Sequence, residues 1–581
     1  MILARRPALA LLGYLVLAFA LFASAWVDPT YRSIGVAGDP QLFMWLLAWT
    51  PYAGSHGLNP LFTDFLIYPQ GANLMWTLIP VVPGLLLAPV MATLGPVFTY
   101  NLAMTLGVAL SAWCAYLALN ALMKDRAGAF LGGVVYGFSP YMLAHALGHP
   151  NLVMCFTPPL VLLILMEALV WQRRPAWQPG VALGLLAAVQ LLTTPEILFT
   201  TAIVGGVGTV VLAAMRWSEV TRRLRHALTT LAISLAAFLP VAAFPVWFLF
   251  FGPQVVRGVV REQDFYVTDL LNFVVPTHVM LVAPDFLVAA SRSWTGGDGE
   301  WNGYVGVFLL GLLAFIAVRW WTSLIIRWAA VLAAIVALLS LGPHLHLAGR
   351  VHFHVPLPWI LLQRLPVFDN VLPARLMMFF YLLAGLAIAF FVRELKGTRR
   401  MHLAGWAWLV VSVILLLPAA PWPSAPNPVP EFFTGSPVQR IPAGSVALVA
   451  PFSTAPGFQL GPGQESATLP MLWQLDSGMR YRMPEGSLIV PDVNGAPSGG
   501  RPPQSTTQTA MIAIQQGGGA PDLTPDLRSR LHQDLVRWHV ETVIVGPMYN
   551  QAQMLIFFER LLGRAPQAVE GVLVWWETGS T

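Results

Sequence analysis

Asp39, in Gly38-Asp39-Pro40-Gln41, stands just past the first long apolar run of a chain that carries few charges. If that run crosses a bilayer, this carboxylate lies on the outer side, placed to take a proton from a hydroxyl arriving at the membrane surface. The stretch after it, Gln41-Leu-Phe-Met-Trp45-Leu-Leu-Ala-Trp49, has the spacing of an interfacial helix with Trp45 and Trp49 as headgroup anchors. Asp39 would cap such a helix, and capping and proton abstraction are compatible roles for one aspartate. His56, Asn59 and Asp64 follow in the same region.

A second cluster crowds residues 252–302: Arg257, Arg261, Glu262, Asp264, Asp269, His278, Asp285, Asp298 and Glu300. Arg257 and Arg261 stand four apart, so a helix would put them on one face, where paired guanidinium groups suit a phosphate. For most of this cluster ordinary surface charge is the simpler reading. Glu300 differs, because an apolar run begins directly after it. His344, His346, His352 and His354 alternate as strand residues sharing a face would, and imidazole binds zinc. The segment supplies neither cysteine nor a nearby carboxylate, so no metal site and no cofactor are expected. Arg375 falls several residues into an apolar run. A charge there must be paired, face a polar cavity or snorkel to the surface. Glu196, His145 and His149 sit near ends of apolar runs on the same side and could line the same cavity.

The elements that must position these residues follow from composition. Of 581 residues, 56% are hydrophobic and 10% charged, against about 25% charged in soluble domains. The fold class is therefore an α-helical polytopic membrane protein. Eleven spans are expected, at 8–27, 97–122, 127–147, 151–171, 177–195, 196–215, 226–251, 303–319, 324–342, 371–392 and 402–420. Arg5/Arg6, Lys124/Arg126, Arg173/Arg174, Arg216/Arg222/Arg223/Arg225, Arg319/Arg327 and Arg393/Lys396/Arg399/Arg400 all fall inside if 76–95 does not cross. That segment holds Pro80, Pro83 and Pro89 and reads as a re-entrant or interfacial pair of short helices. The alternative is a twelfth span. The N-terminus is then cytoplasmic, and 28–96, 252–302, 343–370 and the tail lie outside. The formal charge of +5 is topology, not a nucleic-acid surface. Both cysteines, Cys114 and Cys155, lie in apolar runs, so no disulfide framework is expected. The membrane domain is read as 1–420. An extracytoplasmic α/β domain takes 421–581, opening with a stiff proline-rich linker at 421–430. Strands are expected at 446–451, 488–491, 542–546 and 572–576, helices at 525–538 and 549–563, and a loop over 492–520. The stretch 471–483 reads as a docking surface or a core helix.

Several stretches resemble one known group. They are Gly38-Asp39-Pro40 through Trp49, Asn59-Pro60-Leu-Phe62-Thr-Asp64, and Tyr68-Pro69-Gln70-Gly71-Ala-Asn73. Leu270-Leu-Asn272-Phe-Val-Val-Pro276 with Glu300 and Tyr304-Val-Gly306 join them, as do Phe368-Asp369-Asn370 with Pro373-Ala374-Arg375, and Met471-Leu-Trp473-Gln474 with Met479-Arg480-Tyr-Arg482-Met. Together the chain resembles bacterial integral-membrane glycosyltransferases of the GT-C superfamily. The resemblance implies inverting transfer of a hexose or pentose from a polyprenyl-phosphate carrier to a glycan, lipid or protein hydroxyl at the outer face of the cytoplasmic membrane. Asp39 matches the general base. Arg375, then Arg257 and Arg261, would hold the carrier phosphate, with Glu300, Asp64, Glu196 and His149 lining the substrate site. The paired first-loop carboxylates of some members are absent, residue 38 being Gly and residue 40 Pro, which weighs against a divalent metal. Two other readings stay open: a lipid or oligosaccharide transporter, and a non-catalytic scaffold presenting an outer domain. A transporter would carry polar residues at mid-span, whereas here they collect near span ends.

Overall fold

Apolar runs become helices wherever nothing interrupts the backbone ladder, and the computed structural model follows that rule along most of the chain. It describes all residues except 1, 366–367, 396–398, 455–462, 464–466, 493, 498–504 and 579–581. Lys396 and part of the 492–520 loop lie outside the described residues, as do the side chains of Arg5, Arg6, Arg399 and Arg400. Two compact units result. A helical unit holds Met1–Val27, Leu102–Ala243 and Arg261–Pro423, and a mixed unit holds Asp28–Asn101, Phe244–Val260 and Ser424–Thr581.

Six described helices are long and apolar enough to cross a membrane: Ala88–Met123, Arg126–His145, Pro150–Trp171, Pro195–Met215, Trp217–Phe251 and Pro373–Leu395. Shorter apolar helices are Pro7–Leu21, Trp177–Leu191, Val307–Arg319, Leu324–Ser340 and His402–Ile414. Each expected span overlaps one of these helices, several of which run past the expected bounds, and the protein is a multi-pass membrane protein. Within 76–95 the backbone forms the short helix Val81–Leu86, and the next helix is interrupted at Gly95, with φ 80° and ψ 177°. One boundary departs from expectation. Arg222, Arg223 and Arg225 belong to the first turns of Trp217–Phe251 rather than to a loop. Arg223 bonds the Val170 carbonyl, and Gln172 donates to the Arg223 carbonyl at 3.1 Å, so the helix is held beyond its apolar part.

The centre of the helical unit is Met377–Leu395, whose side chains are almost all buried, as expected of a helix apolar on every face. Its closest neighbour is Arg126–Gly137. A Cβ on Gly132 would meet the Gly385 carbonyl oxygen at 2.5 Å, and one on Gly385 would meet the Gly132 oxygen at 2.6 Å. Only glycine on both sides lets the two backbones touch, the small-residue packing typical of helices in lipid. The outer faces of other helices instead expose Val210, Leu228, Leu231 and Leu235.

In the mixed unit a four-stranded sheet runs in the order Val446–Ala450, Val540–Val545, Val572–Trp575, Gln567–Val569. The first pair is parallel and the others antiparallel. Helices Thr506–Gln515, Pro525–Arg537 and Gln551–Leu562 pack Met511, Ile514, Leu531, Met554 and Phe557 into the core it shares. Three expectations fail here. Residues 488–491 form no strand, although Leu488 and Val490 are buried and the Ile489 amide donates to Thr77 Oγ1. The 492–520 loop contains the helix Thr506–Gln515, started by Ser505, whose hydroxyl accepts from the Gln508 amide. The 421–430 linker is not free: Ser424–Pro426 pairs antiparallel with Arg32–Ile34, a two-stranded ribbon whose edges tolerate the flanking prolines.

The helix Asp39–Ser55 is not interfacial. Residues from Pro40 to Thr50 are buried all round. Trp45 stacks on Trp49 at 5.1 Å and donates its indole N–H to Gln474 Oε1 at 2.7 Å, so both tryptophans are core residues and not membrane anchors. Gln474 donates in turn to the carbonyls of Phe65 and Tyr481. This settles 471–483: Leu469–Asp476 is a buried helix against Asp39–Ser55, and Met483 and Glu485 bond along residues 65–68.

Candidate active site

Proline and threonine build the first wall of the site. Thr194 is extended and Pro195 opens the helix Pro195–Met215, so Glu196 falls in its first turn. Gln190 donates to the Thr194 carbonyl and takes a hydrogen bond from Thr157, while Thr194 Oγ1 donates to the Asn151 carbonyl. On the second wall, the short 3₁₀ turn Pro373–Leu376 leads into Met377–Leu395 and presents Arg375. The third wall is the segment before Val307–Arg319, where the Tyr381 hydroxyl donates to the carbonyls of Asn302 (3.1 Å) and Tyr304 (2.7 Å) and fixes Glu300 nearby.

These walls bring three expected residues together. Arg375 donates through Nε and Nη2 to Glu300 Oε1 at 3.0 and 2.5 Å, and through Nη1 to Glu196 Oε2. The three side chains are only 7–13% exposed. Arg375 is therefore paired rather than snorkelling. One guanidinium meets two carboxyl groups, which with both ionised leaves a negative charge in excess. His145 and His149 lie beside them. Their rings are 6.0 Å apart, and a Cβ on Gly299 would stand 3.7 Å from His149 Cε1 and 3.9 Å from His145 Nδ1. Sequence reasoning missed Asn151 and Asn302, both buried here. The available signal was a polar side chain at the very edge of an apolar run, the feature that marked Glu300.

A half-open apolar groove of about 290 Å³ lies in the same unit. Its walls are Leu162 and Leu165, then Thr201, Val204, Gly205, Gly208 and Leu212 down one face of Pro195–Met215. Trp328, Leu332, Phe379 and Leu382 close it. At 1.5 Å per residue, its lining starts about 7 Å along the helix from Glu196 and continues for about 17 Å. On Met377–Leu395 it starts four residues from Arg375.

Other expected residues have other local surroundings. Arg257 and Arg261 share no helix, because Gly252 and Pro253 follow the preceding helix and Gly258 has φ 98°. Arg257 belongs to the mixed unit, where its amide donates to the Gly495 carbonyl at 2.7 Å, and Arg261 belongs to the helical unit. Asp64, also in the mixed unit, faces Arg482 at 3.4 Å. Most acids of 252–302 are engaged structurally. Asp264 holds His344 at 2.8 Å, Asp269 accepts from the amides of Leu271, Ala348 and Gly349, and Asp298 faces His278 at 3.7 Å. Burial raises the Asp298 pKa and lowers that of His346. Asp264 supplies the carboxylate that the histidine segment lacked. Among the described residues no three metal-ligating side chains gather at one point.

Asp39 is half-buried in the mixed unit, at the first position of its helix rather than at the cap. The cap is Gly38, whose φ of 115° suits glycine alone. The Gly38 amide donates to Gln41 Oε1 and the Gly38 carbonyl accepts from Thr468, while Gln41 Nε2 donates to Asn427 at 2.6 Å. These contacts fix the start of the helix, and with it the place of Asp39.

Comparison with known proteins bears on fold first. The structure of the arabinofuranosyltransferase AftD from Mycobacteria matches 99% of this chain at 15% identity with a TM-score of 0.55. The Archaeoglobus fulgidus oligosaccharyltransferase, solved with Zn and sulfate, matches 92% at 11% identity and 0.50. The chain spans 40% of the mycobacterial protein and 68% of the archaeal one. No curated protein matches it in sequence. The resemblance to GT-C membrane glycosyltransferases thus holds at the level of fold. Residues 10–419 match a family described as a domain of unknown function, DUF6311, and the chain belongs to that family.

Proposed function

We propose that the protein is an inverting glycosyltransferase that moves a sugar from a polyprenyl-phosphate carrier to an acceptor hydroxyl at the outer face of a bacterial cytoplasmic membrane. The observation that carries the reading is the apolar groove whose lining starts one to two helical turns from the Glu196–Arg375–Glu300 cluster. A substrate with a long hydrocarbon tail and a polar head needs that sequence of surfaces, and the shared fold is one that glycosyl and oligosaccharyl transferases use. In this reading the chain crosses eleven times, with the N-terminus inside and the α/β tail outside.

Asp39 acts as general base and takes the acceptor's proton as its oxygen attacks C1 of the sugar. The bond from C1 to the carrier phosphate breaks, and the phosphate leaves with the carrier. Its growing charge calls for a cation. Arg375 already stands between two carboxyl groups, so we assign the phosphate to Arg261, which lies in the same helical unit and makes no ion pair among the described residues. Asp64 and His149 remain assigned to the substrate site.

The test uses purified protein, a panel of polyprenyl-phosphate sugars and mass spectrometry of released carrier. Release or transfer by wild type that falls at least about 100-fold in folded Asp39→Asn supports the reading. Equal turnover in both removes Asp39 from the chemistry. Net movement of an unaltered substrate across vesicles would establish the transporter instead.

A further inference from the structure

We propose that the Glu196–Arg375–Glu300 cluster seats the hydroxyl groups of the transferred sugar and not the carrier phosphate. This assignment rests on the donor class proposed above.

Charge is the first ground. A phosphate entering the cluster would meet two carboxyl groups and a guanidinium whose Nε, Nη1 and Nη2 already donate to them. Like charges at such a separation in a buried setting repel strongly, and displacing either carboxyl would leave it buried and unpaired.

Hydrogen-bond supply and demand is the second. Around the ion pair, Glu300 Oε2, Asn151 Oδ1 and Asn302 Oδ1 are buried acceptors with no protein partner. Asn302 Nδ2 and both ring nitrogens of His145 are likewise buried and unpartnered. Glu300, Asn151, Asn302 and His145 are at most 5% exposed. Buried polar groups are almost always satisfied, so this density of open valences points to a ligand. The set is rich in acceptors, which need O–H donors. A phosphate oxygen offers lone pairs and would satisfy none of them. A sugar ring offers donor and acceptor at each hydroxyl and carries no charge to conflict with the excess carboxyl.

Position is the third. The groove starts within two helical turns of Glu196 and Arg375, so a tail lying there brings its phosphate, and the sugar joined beyond it, within reach of the cluster, and the first two grounds decide between them.

The experiment measures affinity of the full chain in nanodiscs for bare polyprenyl phosphate. A carrier of equal length bearing a neutral hexose or pentose, chosen as the one wild type prefers, is measured beside it. Two variants are compared with wild type. Glu196→Gln keeps the volume and removes an acceptor charge. Asn302→Ala leaves the ion pair and the Tyr381 contact to its backbone oxygen intact. Each variant is expected to lose affinity for the sugar-bearing carrier about tenfold, the scale of one lost hydrogen bond to a polar ligand. Affinity for bare carrier should stay within about twofold. Equal loss for both carriers would show the cluster to be a phosphate seat and overturn the assignment. Unchanged affinity for both, with a raised melting temperature in Asn302→Ala from deleting an unsatisfied buried amide, would show a water-filled structural cluster and overturn it too. Wild type binding neither carrier would refute the donor class itself, and this assignment with it.

Discussion

Asp476 closes the buried helix Leu469–Asp476, and its carboxyl gains little from that place. Burial pushes its pKa up to about 7, and a negative charge at a helix C-terminus opposes the macrodipole. The unfolded chain ionises the same group near 3.8. Between those two values the folded state holds the extra proton, so stability falls as pH rises through the window. At about 1.4 kcal/mol per unit, the full shift is worth at most about 4 kcal/mol. The perturbation is Asp476→Asn, which keeps the shape and cannot ionise. Pulse proteolysis of detergent-solubilised wild type and variant, reading cleavage within 469–483 by mass spectrometry from pH 4.5 to 8.5, isolates this group because other titrations cancel between the two proteins. Near pH 4.5, just above the unfolded value, the difference should be only about 1 kcal/mol, a quarter of the full effect. Their difference should grow in favour of the asparagine variant and level off above about pH 8. A difference that stays constant across the range would refute the burial argument.

Gly132→Leu should separate two helices whose backbones touch. With a Cβ 2.5 Å from the Gly385 oxygen, a loss of about 3 kcal/mol or more is expected, seen as a lower melting temperature in detergent. Gly205→Phe should fill the groove. A Cβ there meets only Leu165, at 3.5 Å, so the fold should persist while affinity for long polyprenyl phosphates falls toward that of short-chain analogues. Gln474→Leu should strand the Trp45 indole N–H and the Tyr481 carbonyl, while the Phe65 carbonyl keeps its bond from the Met483 amide. A cost of about 3 kcal/mol or more follows from unsatisfied buried groups, with tryptophan fluorescence reporting the disturbed pair.

What the sequence made legible was local. Runs such as 196–215 and 371–392 declare helices because twenty apolar residues leave the backbone few other ways to satisfy its hydrogen bonds in lipid. Arg375, Glu196 and Glu300 drew notice for the same reason, since a charge at the edge of such a run requires an explanation. What stayed hidden was partnership. Trp45 and Trp49 have the spacing of membrane anchors, and only the arrival of Gln474, 429 residues later in the chain, makes them core. Ser424–Pro426 reads as a stiff linker until Arg32–Ile34 is seen to bond it. Arg257 and Arg261 have helical spacing, but Pro253 and Gly258 deny them a helix. That Arg375 would be claimed by two acids was likewise invisible, because Glu196, Glu300 and Arg375 lie in three separate stretches of sequence.

The ribbon between Arg32–Ile34 and Ser424–Pro426 also dictates an order of birth. The segment just after the first apolar run is made early and left without its partner strand until nearly four hundred more residues have followed. Trp45 waits for Gln474 and Gln41 for Asn427 over the same interval. The earliest part of the mixed unit is thus finished by the latest. A nascent chain stopped near residue 420 would leave the aromatic helix Asp39–Ser55 without the residues that cover it.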